Sequence, residues 1–150
     1  MYEHNKSLRT VLYSHWMIYS PNVVVFRNDE GQLLNQPYPQ SFLTAPAVNW
    51  SALKRNEPEK LELVEQVMSE RIERVFNVAI HQQYQSLILG AWGCGVFGNS
   101  PQLVAGLFAK VLLDNPVYKN RFKHVVFAVL DRSSDESTIE PFKKLFQPAT

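Results

Sequence analysis

A single cysteine, Cys94, occurs in the 150 residues. No internal disulfide framework can therefore hold the chain, and a reducing compartment, the cytoplasm, is expected. An excess of one charge is equally lacking: fifteen Lys and Arg against fourteen Asp and Glu leave a formal net charge of +1. That gives no electrostatic reason to expect direct nucleic-acid binding or attraction to a membrane surface. No apolar run approaches the roughly 20 residues needed to cross a bilayer, and the first residues carry no signal-peptide pattern. Glycine is sparse, six residues in all, yet Gly90, Gly93, Gly95 and Gly98 fall in one short stretch. Also absent are a Gly-Lys-Ser/Thr phosphate loop, a dinucleotide fingerprint, a Gly-x-Ser-x-Gly elbow and any His/Cys/Asp/Glu cluster at metal-ligand spacing. No metal and no cofactor are expected.

What is present centres on Ser86–Leu113. Ser86–Leu89 is a short apolar run of the kind that forms a buried strand. Gly90–Asn99 follows as a glycine-rich loop. Ser100 then stands as an N-cap and Pro101 at the first helical position, opening a helix whose inner face is Leu103, Val104, Leu107, Phe108, Val111 and Leu112. Strand, glycine loop and helix N-terminus together suit a phosphate-type anion: glycines allow close backbone approach, and free N–H groups and the helix dipole favour negative charge. The loop has no lysine, so backbone N–H groups would carry most of the anion. That suits recognition of a diphosphate better than transfer of a phosphoryl group. The competing reading is a purely structural strand-to-helix turn.

At this length and with 45% hydrophobic and 19% charged residues, the chain reads as one folded domain, 1–150. Met1–Leu12 is helical or irregular. His15–Tyr19 and Val23–Phe26 read as strands separated by a Ser20-Pro21-Asn22 turn. Asn28–Gly31 is a second turn, pairing Val23–Arg27 with Gln32–Leu34 in a hairpin. Pro37 and Pro39 are expected to break the chain before a strand at Ser41–Ala45. Asn49–Asn56 reads as a polar loop. A long helix is expected from Asn56, its apolar face Leu61, Val64, Met68, Ile72, Val75 and Ala79; Lys60, Glu62, Glu70, Arg71, Glu73 and Arg74 form its solvated face. His124–Leu130 is another strand, Asp131–Asp135 a loop and Ser137–Phe146 a closing helix. The class is α/β, a mixed sheet between helices. Ligands in such sheets lie beyond the carboxyl ends of the strands, the edge where both the glycine loop and Asp131 fall.

Catalytic groups are harder to find. Cys94 as a nucleophile needs a base partner, and nothing places His4, His15, His81 or His124 beside it; a small packing residue is the better reading. Phe97 either flanks a ribose or base or plugs the core. Most glutamates fall in the solvated Glu57–Glu73 stretch, and Asp29-Glu30 and Asp135-Glu136 belong to a turn and a helix start. The residues themselves thus offer a binding loop with no evident acid or base.

Four separated blocks, Met17–Arg27, Ser41–Asn49, Leu87–Pro101 and Val125–Asp131, resemble the microbial-type poly(ADP-ribose) glycohydrolases in order and spacing, and the resemblance runs from about Tyr2 to Phe146. The GAWGCGVF string is its most specific part; Val48, where the family often has a second proline, is a minor departure. The resemblance implies a macrodomain-like fold, with the loop around the diphosphate of ADP-ribose and the aromatic residue of the Val-Phe pair beside the ribose. Gly93, Cys94, Gly95, Val96, Phe97, Gly98 and Asn99 are then ligand-contacting candidates. Asp131, with Ala128 and Leu130, is a weaker candidate near the adenosine half. ADP-ribose or poly(ADP-ribose) is the implied partner.

The family's catalytic signature, a glycine-rich loop followed by Gln-Glu-Glu whose second glutamate protonates the glycosidic oxygen, is absent from these residues. No catalytic residue is therefore assigned. Against the family pattern the chain reads as the C-terminal part of the domain, missing its N-terminal elements and not hydrolytic as it stands. Two readings remain beside that one: a stand-alone ADP-ribose-binding module, and a relative with a structural or interaction role. The missing elements imply an uncovered sheet edge, and with it self-association into a homo-oligomer.

Overall fold

The structure, a computed structural model, describes residues 1–147. After a short helix α1 (Tyr2–Ser7), strands β1 (Ile18–Arg27) and β2 (Leu33–Thr44) form an antiparallel ribbon. Its turn is the expected one. Asn28 N–H donates to the Gln32 carbonyl (3.0 Å), and Gly31, at φ +79°, turns the chain between them. The Ser20-Pro21-Asn22 segment does not end a strand. It is absorbed as a bulge, with a register shift between Ser20 and Val23 and Asn22 at φ +53°. Pro37 and Pro39 likewise lie inside β2. A two-stranded ribbon leaves each strand one unpaired edge, so a residue without an N–H need not cost a ladder bond.

The expected polar loop is mostly a helix, α2 (Trp50–Asn56), capped by Asn49, whose side chain accepts from the Ala52 N–H (3.0 Å). Asn56, where the long helix was expected to begin, is instead the last residue of α2. The long helix, α3 (Val64–His81), begins later than expected, after a 3-10 stretch at Pro58–Leu63. Its buried face, Val64, Met68, Ile72, Phe76 and Ala79, is the core's spine. β3 (Ser86–Leu89) leads through the glycine loop to α4 (Pro101–Ala109), continued by a π turn at Lys110–Asp114. β4 (His124–Phe127) then pairs in parallel with β3 over its four residues, Ser86 opposite His124 and Leu89 opposite Phe127. β4 stops at Phe127 rather than Leu130, and α5 starts at Glu140 rather than Ser137 (Glu140–Phe146).

The class is α/β as expected, with antiparallel and parallel pairings held as two separate two-stranded sheets. Aromatic rings lock the interior. Phe76 meets Phe108, Tyr118 and Phe122 at centroid distances of 5.5–6.2 Å, and Phe127 meets Phe108, Phe142 and Phe146 at 4.4–5.3 Å. Among the described residues, only one face of the β3–β4 pair is covered: Leu87 and Phe127 pack on the core, whereas Ile88 (73% exposed) and Val126 (55%) face outward.

One correction bears on the site. Arg71, read as part of a solvated face, has no exposed surface. Periodicity marks it as polar because it is charged; what it meets inside is backbone carbonyls, described below.

Candidate ligand-binding site

The glycine loop is held from three sides. The Asn99 N–H and the Asn99 side-chain Nδ2 both donate to the Gly93 carbonyl (3.0 and 3.1 Å), and Nδ2 also donates to the Val48 carbonyl (2.8 Å). Asn99 is 2% exposed, and its Oδ1 has no partner among the described residues. From α2, the Ser51 N–H donates to the Phe97 carbonyl (3.0 Å). Ser100 caps α4 by accepting from the Leu103 N–H (3.3 Å), as its position predicts.

Two glycines are there by necessity. Gly93 lies at φ +77°, and a Cβ on it would overlap Asn99 Nδ2 and stand 2.7 Å from the Ala47 Cβ; Gly98, at φ +70°, would run into Ser51 Oγ. Gly95 differs: its φ is ordinary and the space around it is open. Within the loop, Cys94 and Gly98 use their N–H groups on the Ala91 and Gly95 carbonyls. The N–H groups of Gly93, Gly95, Val96 and Phe97 have no acceptor among the described residues. Free N–H groups on consecutive residues at the head of a helix form an anion-binding concavity.

These groups border a cavity of about 540 Å³. Trp92, Gly93, Gly95, Val96 and Phe97 form one wall and Thr44–Ala47, at the end of β2, the second. The third comes from the front of the chain: Met1, Tyr2, Asn5 and Lys6 of the α1 region, with Tyr13. The Tyr13 and Phe97 rings lie 6.2 Å apart, so Phe97 is half-buried at the cavity wall and not a full core plug. Lys6 is the one charged side chain among the lining residues. It supplies, from more than eighty positions away, the cation that the loop itself lacks. Among the described residues, no carboxylate lines the cavity.

The expected residues separate here. Gly93, Gly95, Val96 and Phe97 line the cavity; Gly98 and Asn99 shape the loop from behind. Cys94 packs toward the core, and burial pushes its thiol up to about 11, which leaves a neutral packing residue. Asp131 does not line the cavity. Its carboxylate accepts from the Ser133 hydroxyl and N–H and from the Thr138 and Ile139 N–H groups (2.7 and 2.9 Å), and these bonds, the Ser133 hydroxyl foremost, hold its carboxyl well below the usual range. It closes the loop before α5. Among the described residues, no group of His, Cys, Asp and Glu side chains is placed to hold a metal, and no helix is long and apolar enough to cross a membrane.

The residues that sequence reading missed are Tyr2, Asn5, Lys6 and Tyr13. Their segment has no periodic pattern and is fixed by single bonds: Asn5 Oδ1 accepts from the Ser14 N–H and hydroxyl (2.8 and 2.6 Å), and the Glu57 carboxylate accepts from the Thr10 hydroxyl and the Val11 N–H (2.7 and 3.0 Å).

The family model described as the catalytic domain of microbial-type poly(ADP-ribose) glycohydrolase matches residues 1–28. Solved structures match nearly the whole chain. The poly(ADP-ribose) glycohydrolase of Deinococcus radiodurans in complex with ADP-ribose is 42% identical, with a TM-score of 0.91 over 95% of this chain and 57% of that one. Its apo form gives 42% and 0.90 over 95% and 58%. The enzyme of Thermomonospora curvata is 43% identical, with a TM-score of 0.89 over 97% of this chain and 52% of that one. A comparison with curated proteins gives no match. The chain spans little more than half the length of the solved structures it matches. Over nearly all of its own length it carries the fold of the microbial-type poly(ADP-ribose) glycohydrolases, as the sequence resemblance implies.

Proposed function

We propose that this chain, built on the microbial-type poly(ADP-ribose) glycohydrolase fold, binds ADP-ribose through its diphosphate and does not hydrolyse the glycosidic bond by itself. The observation that carries the reading is the row of unpaired N–H groups on Gly93, Gly95, Val96 and Phe97 at the wall of a cavity large enough for a nucleotide. A diphosphate spreads two negative charges over several acceptors, which matches a set of backbone donors with Lys6 opposite. Hydrogen bonds to a charged group contribute about 1.5–3 kcal/mol each at best. The Deinococcus radiodurans enzyme, similar in fold and crystallised with ADP-ribose, supports the same ligand.

Phe97 and Tyr13 are the aromatic surfaces for the ribose or base. Gly93, Gly95 and Val96 are the backbone contacts, and Asn99 and Gly98 set the loop's shape. The absence of hydrolysis rests on chemistry. Cleaving a glycosidic bond needs a carboxylic acid to protonate the leaving oxygen, and among the described residues the cavity walls offer none. A polypeptide supplying that acid would turn the binding half into a whole site. The cytoplasm is the compartment proposed, since a single cysteine suits reducing conditions.

The uncovered face of the β3–β4 pair, with Ile88 and Val126 exposed, supports self-association or pairing with another chain as an accompanying property. Calorimetric titration with ADP-ribose, beside a chromatographic assay of poly(ADP-ribose) cleavage by the purified 150-residue chain, tests both parts: heat without cleavage is expected. Cleavage at an enzyme's rate would overturn the non-hydrolytic part.

A further inference from the structure

Arg71 is the largest side chain with no exposed surface. A guanidinium in that position needs acceptors, and the usual ones are carboxylates. None pairs with it among the described residues. Its acceptors are backbone carbonyls. Nη1 donates to Pro46 (2.9 Å), and Nη2 donates to Leu12 (2.7 Å) and Tyr13 (3.2 Å); Nε reaches His15 Nδ1 at 3.5 Å.

These carbonyls belong to two segments more than thirty residues apart, and neither segment is helix or strand where Arg71 meets it. Each carries a wall of the cavity. Tyr13 places its ring beside Phe97. Pro46 is followed by Ala47, whose Cβ stands where a side chain on Gly93 would go. Helix α3 itself contributes no lining residue; it meets both wall segments through this side chain, and touches the second also through Met68, whose sulfur accepts from the Val48 N–H (3.4 Å). The planar fork of a guanidinium fixes the angle between its acceptors as an ammonium cannot.

We propose that Arg71 is the positioning residue of the ligand cavity, holding the Leu12–Tyr13 and Pro46–Ala47 walls at the spacing at which they face the Gly93–Phe97 loop. The proposal rests on the ADP-ribose reading of that cavity, and it separates from a plain core-stabilising role by what its loss does to binding.

The test compares the 150-residue chain with Arg71→Met, Arg71→Lys and Ile72→Ala. The last removes a buried side chain from the neighbouring position of α3 without touching the carbonyl contacts. Melting temperature, ADP-ribose titration and amide hydrogen exchange over residues 10–16 and 44–49 are measured for each. The expected result is that Arg71→Met binds ADP-ribose at least tenfold more weakly than Ile72→Ala at a comparable fall in melting temperature, with faster exchange in both segments. Arg71→Lys should lie between wild type and Arg71→Met. Affinity lost only in proportion to stability, or unchanged exchange in both segments, would overturn the proposal. If the unmodified chain binds no ADP-ribose, the ligand reading fails, and exchange decides alone: deprotection of both segments sustains the positioning role, and unchanged protection removes it. If Arg71→Met does not fold, Arg71→Lys carries the same comparison.

Discussion

Asn99 bonds the carbonyl of Gly93 twice, once from its backbone N–H at 3.0 Å and once from its side chain at 3.1 Å. The seven residues Gly93–Asn99 are thereby closed into a fixed ring, with the four free N–H groups of Gly93, Gly95, Val96 and Phe97 on it. The same carboxamide reaches across to Val48, so loop and β2 exit are joined through one buried side chain. Asn99→Ala removes the two side-chain bonds, keeps the backbone bond to Gly93 and leaves the Val48 carbonyl without its donor, a loss of about 1–3 kcal/mol. Asn99→Asp places a charge against the Gly93 and Val48 carbonyls and should cost more, about 3 kcal/mol or above. Urea unfolding of the two variants checks the order.

Gly93 and Gly95 should respond in opposite ways to the same change. Gly93→Ala combines a left-handed backbone with overlap against Asn99 and Ala47, and we expect it to lose about 2–4 kcal/mol of stability. Gly95→Ala has neither problem, so its stability should stay within about 0.5 kcal/mol of wild type. Its new methyl group stands at the cavity wall, and ADP-ribose binding should fall. Thermal melts and titrations on the pair separate the loop's folding requirement from its binding requirement.

The Cys94 thiol, pushed up to about 11 by burial, should react slowly with iodoacetamide at pH 8. Its alkylation should quicken to the rate of a free thiol only in denaturant, since the thiolate is the reacting species. Cys94→Ala should retain ADP-ribose binding. Mass spectrometry of the time course and a titration of the variant check both statements.

Glu57 ties the Thr10–Val11 segment to the start of the 3-10 stretch. The Lys60 ammonium first, then the Thr10 hydroxyl and the Val11 N–H, lower its carboxyl from the ordinary 4.5 to about 2. A carboxylate whose folded pKa is depressed stabilises above its unfolded pKa, and that contribution is lost as pH falls toward the folded one. The chain should therefore lose stability between pH 4.5 and 2, and Glu57→Gln should flatten this part of the melting-temperature profile while lowering it at pH 7.

How much of this was legible in the sequence depends on how local the cause is. The glycine loop, its Ser100 cap and the Asn28–Gly31 turn are written in the residues that form them, because left-handed backbone and capping are decided within a few positions. Helix α2 was not legible: Asn49–Asn56 is short and polar, and part of what holds it is the Ser51 bond to Phe97, a contact between segments far apart in the chain. Pro37 and Pro39 misled because a proline forbids a central strand but not one with a free edge. Arg71 misled because charge predicts exposure unless acceptors wait inside, and carbonyls leave no mark in a sequence. The front wall of the cavity was illegible for the same reason as α2. Lys6 and Tyr13 reach the loop only through the fold; from the loop's lack of lysine the sequence implied backbone N–H groups as the anion's main donors, not a cation from the front of the chain.

The binding of ADP-ribose without its hydrolysis is tested most directly by one calorimetric titration of the purified 150-residue chain, with the cell contents afterwards separated by chromatography. Saturable heat from ADP-ribose is predicted, weakened by Gly95→Ala, together with poly(ADP-ribose) recovered intact from a parallel incubation. No heat with ligand raised to about 1 mM, an affinity below about 4 kcal/mol, would contradict the account.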